Sequence, residues 1–332
     1  MIDNVLDELF CLRTGKRREN IDDLKLIYDL LGKPCDAVKV IHIAGTNGKG
    51  STATFLENIL LEAGYNVGKF TSPHILRYNE RILYNRQMID DEEIVENYFF
   101  LKQVIKNCKM ENENFKDIYL NFFEITTFIA LMFFAKKNPD FLVIETGLGG
   151  RLDATNIINS DIALITNITF DHTAILGNSL KEIAYEKAGI IKNRELCIYA
   201  DSLPELEEEI NKKTENSINI IKKYNDMEIE LDKTNYKTLI KFQNNEFILP
   251  LFGKFQANNF LLAYETAKFY NIDNETIQNG VHKVYWPARF EFFSVEPPVI
   301  LDAAHNDDSI RKLIENLTEI YKRNEVIVIT SL

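Results

Sequence analysis

The stretch VKVIHIA at residues 38–44, followed at once by GTNGKGS at 45–51, decides the fold. Its first half is rich in β-branched residues and reads as a buried strand. Beyond the glycines, Phe55, Leu56, Ile59 and Leu60 recur at helical spacing, so the segment is strand, glycine loop, helix. Successive backbone N–H groups in such a loop, with the amino end of the helix, can cradle an anion, and Lys49 would reach its outer phosphates. The usual phosphate-loop spacing is not met, because Ile43 stands where the first glycine belongs and Gly50 separates the lysine from Ser51. A plain tight turn explains neither the three glycines nor the strand before them, so nucleotide binding is the better reading.

The pattern recurs downstream. An apolar helix from about Phe122 to Ala135 leads through Asn-Pro to the strand Phe141–Glu145 and a second glycine-rich turn, and the strand Ile162–Ile168 follows. Helices alternating with short apolar strands imply an α/β fold with a parallel sheet covered on both faces, where ligands sit beyond the carboxyl ends of the strands. From about Glu195 to Leu251 the texture becomes β-rich, with a strand at Lys237–Phe242 and a hairpin turn expected at Asn244-Asn245. A helix is expected over Gln256–Tyr270. Glu296-Pro297-Pro298 reads as a linker, dividing the chain at 1–295 and 296–332 and opening a unit of strand (Val299–Leu301), helix (Ser309–Tyr321) and strand (Glu325–Thr330).

Of the 332 residues, 38 are Lys or Arg and 50 are Asp or Glu, a formal net charge of −12 that excludes a basic nucleic-acid coat. Apolar residues at 45% and charged residues at 27% are globular composition. Cys11, Cys35, Cys108 and Cys197 lie far apart, which argues against a disulfide scaffold or zinc module. The amino terminus lacks the pattern of a secretory signal, and the longest apolar run, Phe128–Ala135, is far short of the roughly 20 residues a membrane span needs. A cytoplasmic, monomeric protein with no membrane or nucleic-acid partner is expected.

Glu145, at the end of its strand, can hold Mg²⁺ at the phosphates or can simply pair with Arg151. His172 follows the third strand on the ligand side, although a single histidine is more often a hydrogen-bonded structural residue. His42, inside the first strand, reads as core. Lys187, taken alone, reads as a surface lysine. The guanine-reading Asn-Lys-x-Asp is missing, which disfavours a Ras-like GTPase.

GTNGKGS at 45–51, TSPHILRYNERI at 71–82, ETGLGGRLDATN at 145–156, FDHTAILG at 170–177 and EKAGIIK at 186–192 occur in order. With GKFQANN at 253–259, WPAR at 286–289 and LDAAHN at 301–306, they resemble folylpolyglutamate synthase and dihydrofolate synthase, the folate branch of the Mur ligase family, over nearly the whole chain. The resemblance implies a P-loop ATPase-like parallel-sheet domain of the Mur ligase central type, a β-rich side region and a partial Rossmann-like carboxyl-terminal domain. It implies an ATP-dependent ligase that joins L-glutamate to folate or dihydropteroate through an acyl phosphate. By motif position, Thr46, Asn47, Gly48, Lys49, Gly50 and Ser51 would hold the phosphates, with Ser72 and Glu145 on the first Mg²⁺ and His172 on the second metal. Lys187 falls where the family carries a carbamylated lysine. Asn259, Arg289, Asp302 and His305 match ATP-side residues, and Phe123, Asp153 and Ala154 match the pterin pocket.

Three departures stand out. Lys16-Arg17-Arg18-Glu19-Asn20-Ile21 stands where many relatives have a glycine-containing apolar turn near the pterin pocket, its basic trio serving either to meet substrate carboxylates or as a solvated face. Ala288 and Ala303 replace expected glycines, which is harmless where φ is negative and costly where it is positive. Family members also continue beyond Leu332, so the alternative reading is a shortened remnant that binds nucleotide without turnover.

Overall fold

The computed structural model describes residues 2–12, 18–111, 118–192 and 195–330. One sheet organises it. Its strands are β1 (Lys39–Ala44), β2 (Val67–Phe70), β3 (Ile82–Tyr84), β4 (Gln87–Met88), β5 (Phe141–Glu145), β6 (Ile162–Ile165), β7 (Leu196–Tyr199) and β8 (Ser217–Asn219), in the order β4-β3-β2-β5-β1-β6-β7-β8. From β2 to β8 the pairings are parallel, and β3 and β4 add an antiparallel edge. The register sets Ile43 opposite Glu145 and Ala44 opposite Ile165, so the three central strands end together.

The central strands β1, β5 and β6 are largely apolar because successive side chains point to opposite faces and both faces are covered. Val40, Leu142 and Ile144 pack with α1 (Ile2–Cys11), α2 (Asp22–Leu30), α4 (Asp91–Glu111) and α5 (Phe122–Lys137). Ile41, Ile43 and Val143 pack on the opposite face with α3 (Lys49–Glu62), α10 (Gln256–Phe269) and α11 (Asn274–His282). The short helices α6 (Thr173–Leu176), α7 (Leu180–Ala188), α8 (Pro204–Asn211) and α9 (Ile220–Lys223) lie around β6–β8. Helix α5 begins in a capping box, with the Asn121 side chain accepting from the Glu124 N–H and Glu124 accepting from the Asn121 N–H. The chain has no helix, among the described residues, long and apolar enough to cross a membrane.

Three sequence expectations shift. The antiparallel sheet of β9 (Glu228–Asp232), β10 (Lys237–Phe242) and β11 (Asn245–Leu249) turns at Gln243-Asn244, one residue earlier than expected, and both have positive φ as a two-residue hairpin turn requires. Glu296-Pro297 is no linker but the turn between β12 (Glu291–Val295) and β13 (Pro298–Leu301), which pair antiparallel, so the expected boundary at 295/296 falls inside a hairpin. Helix α12 (Asp307–Ile320) follows, but no strand forms over 325–330: Ile327, Val328 and Ile329 are exposed, with no described strand beside them to share a ladder.

The two alanine departures separate cleanly. Ala303 is not among the residues of positive φ, whereas Ala288 sits at +52°. Replacing Ala288 by glycine should raise unfolding stability by about 0.5–1 kcal/mol, since left-handed strain of about 1–2 kcal/mol is relieved and part is lost to unfolded-state entropy. Denaturant titration checks this; a lowered midpoint would contradict it.

Candidate active site

At the carboxyl end of β1 the chain turns through Gly45 to Gly48 and enters α3. Gly48 has φ +87°, and a side chain there would fall on the Asn259 Oδ1 of α10. A side chain at Gly45 would fall on the Thr166 Oγ1 just beyond β6. The loop is therefore wedged between two elements and held there: the Asn47 N–H donates to Asn167 Oδ1 (2.8 Å), and the Thr166 hydroxyl donates to the Asn47 carbonyl (2.6 Å). Free N–H groups at the start of α3 then face a cavity of about 920 Å³.

That cavity is lined by every residue singled out in the sequence for phosphate, metal or pterin, from Thr46 to His305. Lys49 Nζ donates to the carbonyls of Gly45 (3.0 Å) and Thr46 (3.1 Å) and lies 3.9 Å from Glu145 Oε1. Glu145 is buried, and burial pushes its carboxyl up, opposed by Lys49, Arg289 and Arg81 and by the Ser72 N–H donating to Oε2 (3.2 Å). His172 is half-exposed in a left-handed conformation, its Nε2 3.7 Å from Asp171 Oδ1.

Lys187 is no surface lysine. It is buried, and Nζ donates to the Gly45 carbonyl at 2.6 Å. Burial first, and Lys49 second, push its ammonium far below the usual lysine range. Across the cavity stand Arg289, whose guanidinium donates to the Ala288 carbonyl (2.8 Å), and Asp302, whose two oxygens accept the N–H groups of Phe290 and Ala304 (2.8 Å each). His305 is exposed, with Nδ1 2.9 Å from the Ala303 carbonyl. Asn259 is oriented by donating to Gln256 Oε1 (2.8 Å).

At the opposite end of the cavity Phe123, on the first turn of α5, lies against Gly147, and Asp153 and Ala154 line the wall beside it. Arg18 closes this end: it pairs with buried Glu124 and donates to the Tyr119 carbonyl (2.7 Å), so it is a structural clamp and no solvated face. Lys16 and Arg17 lie outside the described residues.

Sequence reading missed Asp171, Asn306 and Asp308. The Asn47 amide donates to Asn306 Oδ1 (3.2 Å) and Asp308 Oδ2 (2.9 Å), and Asn306 donates to Asp171 Oδ2 (3.0 Å), tying the phosphate loop to the start of α12. It also missed Trp286, whose ring sits 2.7 Å from where a Gly50 side chain would begin. Its place in WPAR, beside Arg289, was the available signal.

Residues 43–267 match the family model of the Mur ligase middle domain. The chain is 35% identical over 323 residues to the dihydrofolate synthase/folylpolyglutamate synthase of Bacillus subtilis, covering 93% of this chain and 74% of that protein. It belongs to the folate branch of the Mur ligase family. The folylpolyglutamate synthase of Lacticaseibacillus casei is 30% identical over 324 residues, 94% of this chain and 74% of that one. Its apo structure superposes with a TM-score of 0.87 at 26% identity, over 97% of this chain and 81% of that one. E. coli FolC in complex with DHPP and ADP superposes at 0.82 with 29% identity, over 97% and 75%.

The family's divalent cation can be set against the donors present. Among the described residues no three His, Cys, Asp or Glu side chains gather as a metal cage. A single buried carboxylate with a neighbouring hydroxyl instead suits a hard cation that completes its shell with phosphate oxygens and water, as Mg²⁺ does. Gly48→Ala should lower ADP affinity at least tenfold, because the new methyl meets Asn259 at positive φ. Titration calorimetry reads this directly, and unchanged affinity would refute the loop geometry.

Proposed function

We propose that this chain activates a folate carboxylate with ATP and joins it to L-glutamate, with release of ADP. The observation that carries this reading is the single cavity in which the phosphate loop, Glu145, Lys187 and Arg289 face the pocket of Phe123 and Asp153. A carboxylate oxygen attacks the terminal phosphorus of ATP, giving an acyl phosphate and ADP. The glutamate amine then adds to the acyl carbon, a tetrahedral intermediate collapses, phosphate leaves and the amine proton goes to solvent. Both steps crowd anions together, so catalysis is positioning and charge stabilisation.

On this reading the loop of residues 46–51, through the N–H groups from Gly48 onward, and Lys49 hold the phosphates, and Arg289 meets the transferring group from the opposite wall. Ser72 and Glu145 would hold Mg²⁺, with His172 serving a second cation; bound there, these ions would neutralise phosphate charge. Asn259, Asp302 and His305 take the nucleoside side. Phe123 stacks on the pterin while Asp153 and Ala154 meet its edge. Residues up to about 295 carry folate and most of the ATP contacts, and the segment beyond, which brings Asp302 and His305 to the nucleoside, begins the glutamate side. A remnant that merely binds nucleotide is disfavoured by the presence of pterin-side and phosphate-side residues in one continuous cavity.

Lys187 is the proposed carbamate. Only a neutral amine adds to CO₂, losing a proton as the N–C bond forms, and the burial that pushes Lys187 down favours that form. The product is an anion, which removes the repulsion from Lys49. Activity should fall in CO₂-depleted buffer and return with bicarbonate, whereas indifference to bicarbonate would remove the carbamate from the scheme.

Mass spectrometry of product from ATP, glutamate and either dihydropteroate or tetrahydrofolate tests the reaction and separates the two acceptors. Lys49→Ala should lower product formation by about 10²-fold or more. Undiminished ligation in that variant, or ATP cleavage with no glutamylated product in the wild type, would overturn the assignment.

A further inference from the structure

We propose that His42 and Thr155 are positioning residues that hold Asp153 as a directed acceptor for the pterin, a proposal resting on the reading of Asp153 as the pterin contact. His42 lies inside β1, and Thr155 in the turn Ala154–Ile157 beneath the cavity. All three side chains are buried. The Thr155 hydroxyl is 2.5 Å from Asp153 Oδ1, which also accepts the Thr155 N–H (3.0 Å), and Asp153 Oδ2 accepts the Leu148 N–H (2.8 Å). His42 Nε2 lies 2.8 Å from the same hydroxyl.

The direction of this chain follows from counting protons. A threonine hydroxyl has one proton to give. Given to the carboxylate, it leaves Oγ1 an acceptor, so His42 Nε2 must carry hydrogen. His42 Nδ1 has no hydrogen-bond partner among the described residues, which suits a bare nitrogen better than a buried N–H. Burial, with Lys192 second, pushes His42 down to about 3, so the ring is neutral and one proton must be placed.

The opposite arrangement has Asp153 protonated and donating to Thr155, which would donate to His42. It would move the imidazole proton to Nδ1, where it would be stranded. The relay therefore favours the ionised carboxylate against the burial that pushes Asp153 up. A pterin presents two adjacent donors, a ring N–H and an exocyclic amine, and these need an ionised acceptor.

The test is equilibrium binding of pteroic acid and, separately, of ADP with Mg²⁺ to the full chain by titration calorimetry. Thr155→Val and His42→Leu should weaken pteroate about tenfold and leave ADP within about twofold, whereas Thr155→Ser and His42→Gln, which keep a hydroxyl and a side-chain N–H, should retain pteroate binding. Asp153→Asn separates the two layers. Weak pteroate binding in Asp153→Asn with normal binding in Thr155→Val overturns this inference alone. Normal binding in Asp153→Asn overturns the pterin reading and the inference with it. Equal losses for both ligands in Thr155→Val mark a merely structural role and also overturn it. Should His42→Leu not fold, the near-isosteric Thr155→Val decides.

Discussion

Two lysine side chains converge on one carbonyl oxygen, that of Gly45 at the carboxyl end of β1, and the site is built around this contact. The carbonyl belongs to the loop, Lys49 to the first turn of α3, and Lys187 to α7, so a single acceptor fixes three elements around the phosphate position. Such crowding is possible only because residue 45 has no side chain, its place being filled by the Thr166 hydroxyl. Two cations on one oxygen are also unstable unless an anion or a neutral amine intervenes. The site is thus predisposed either to bind phosphate or to lose a proton from Lys187, and burial pushes that lysine in the second direction.

A chain of net charge −12 binding a polyanion looks contradictory until charge is placed. Lys49, Arg289 and Arg81 all line the cavity, together with the ends of β1, β5 and β6. Glu145, Asp171 and Asp302 line it too, and burial pushes Glu145 and Asp302 up. Local sign, set by burial and by the amino end of α3, governs recognition, while the acidic excess is spread over the rest of the chain.

Strands β1, β5 and β6 were legible because each is short, largely apolar and buried on both faces, as strands of a covered parallel sheet are. Residues 45–51 were legible as an anion loop for the same local reason. Burial at single positions was not legible. Lys187 looks like any helix lysine until α7 is packed against the loop, and Arg18 looks like part of a solvated basic run until Glu124, over a hundred residues away, is brought to it. The linker reading of Glu296-Pro297-Pro298 failed because proline punctuation does not separate a hairpin turn from a boundary. His42 was correctly read as core, yet its partner Thr155 is invisible without the alignment of β1 with the turn after β5.

Arg289 shows how segments far apart in the chain share responsibility for one charge. It is flanked by Ala288 and Phe290, with φ of +52° and +51°, a conformation that side chains resist. Each is held in place from the other side of the hairpin: the Ala303 N–H donates to the Ala288 carbonyl (3.0 Å), and the Phe290 N–H donates to Asp302 (2.8 Å). Strained residues persist where surroundings over-determine them, and here the surroundings are the elements that carry Asp302 and His305 into the cavity. The guanidinium also lies 6.0 Å from the centre of the Trp286 ring, which rests on Gly50 in the first turn of α3. The position of the arginine is therefore set jointly by the phosphate-loop helix and by the β12–β13 hairpin. A shift in either moves the charge relative to the phosphate it would meet, and that mechanical dependence adds to the direct hydrogen bonds of Asn47 with Asn306 and Asp308 in coupling the nucleotide pocket to α12.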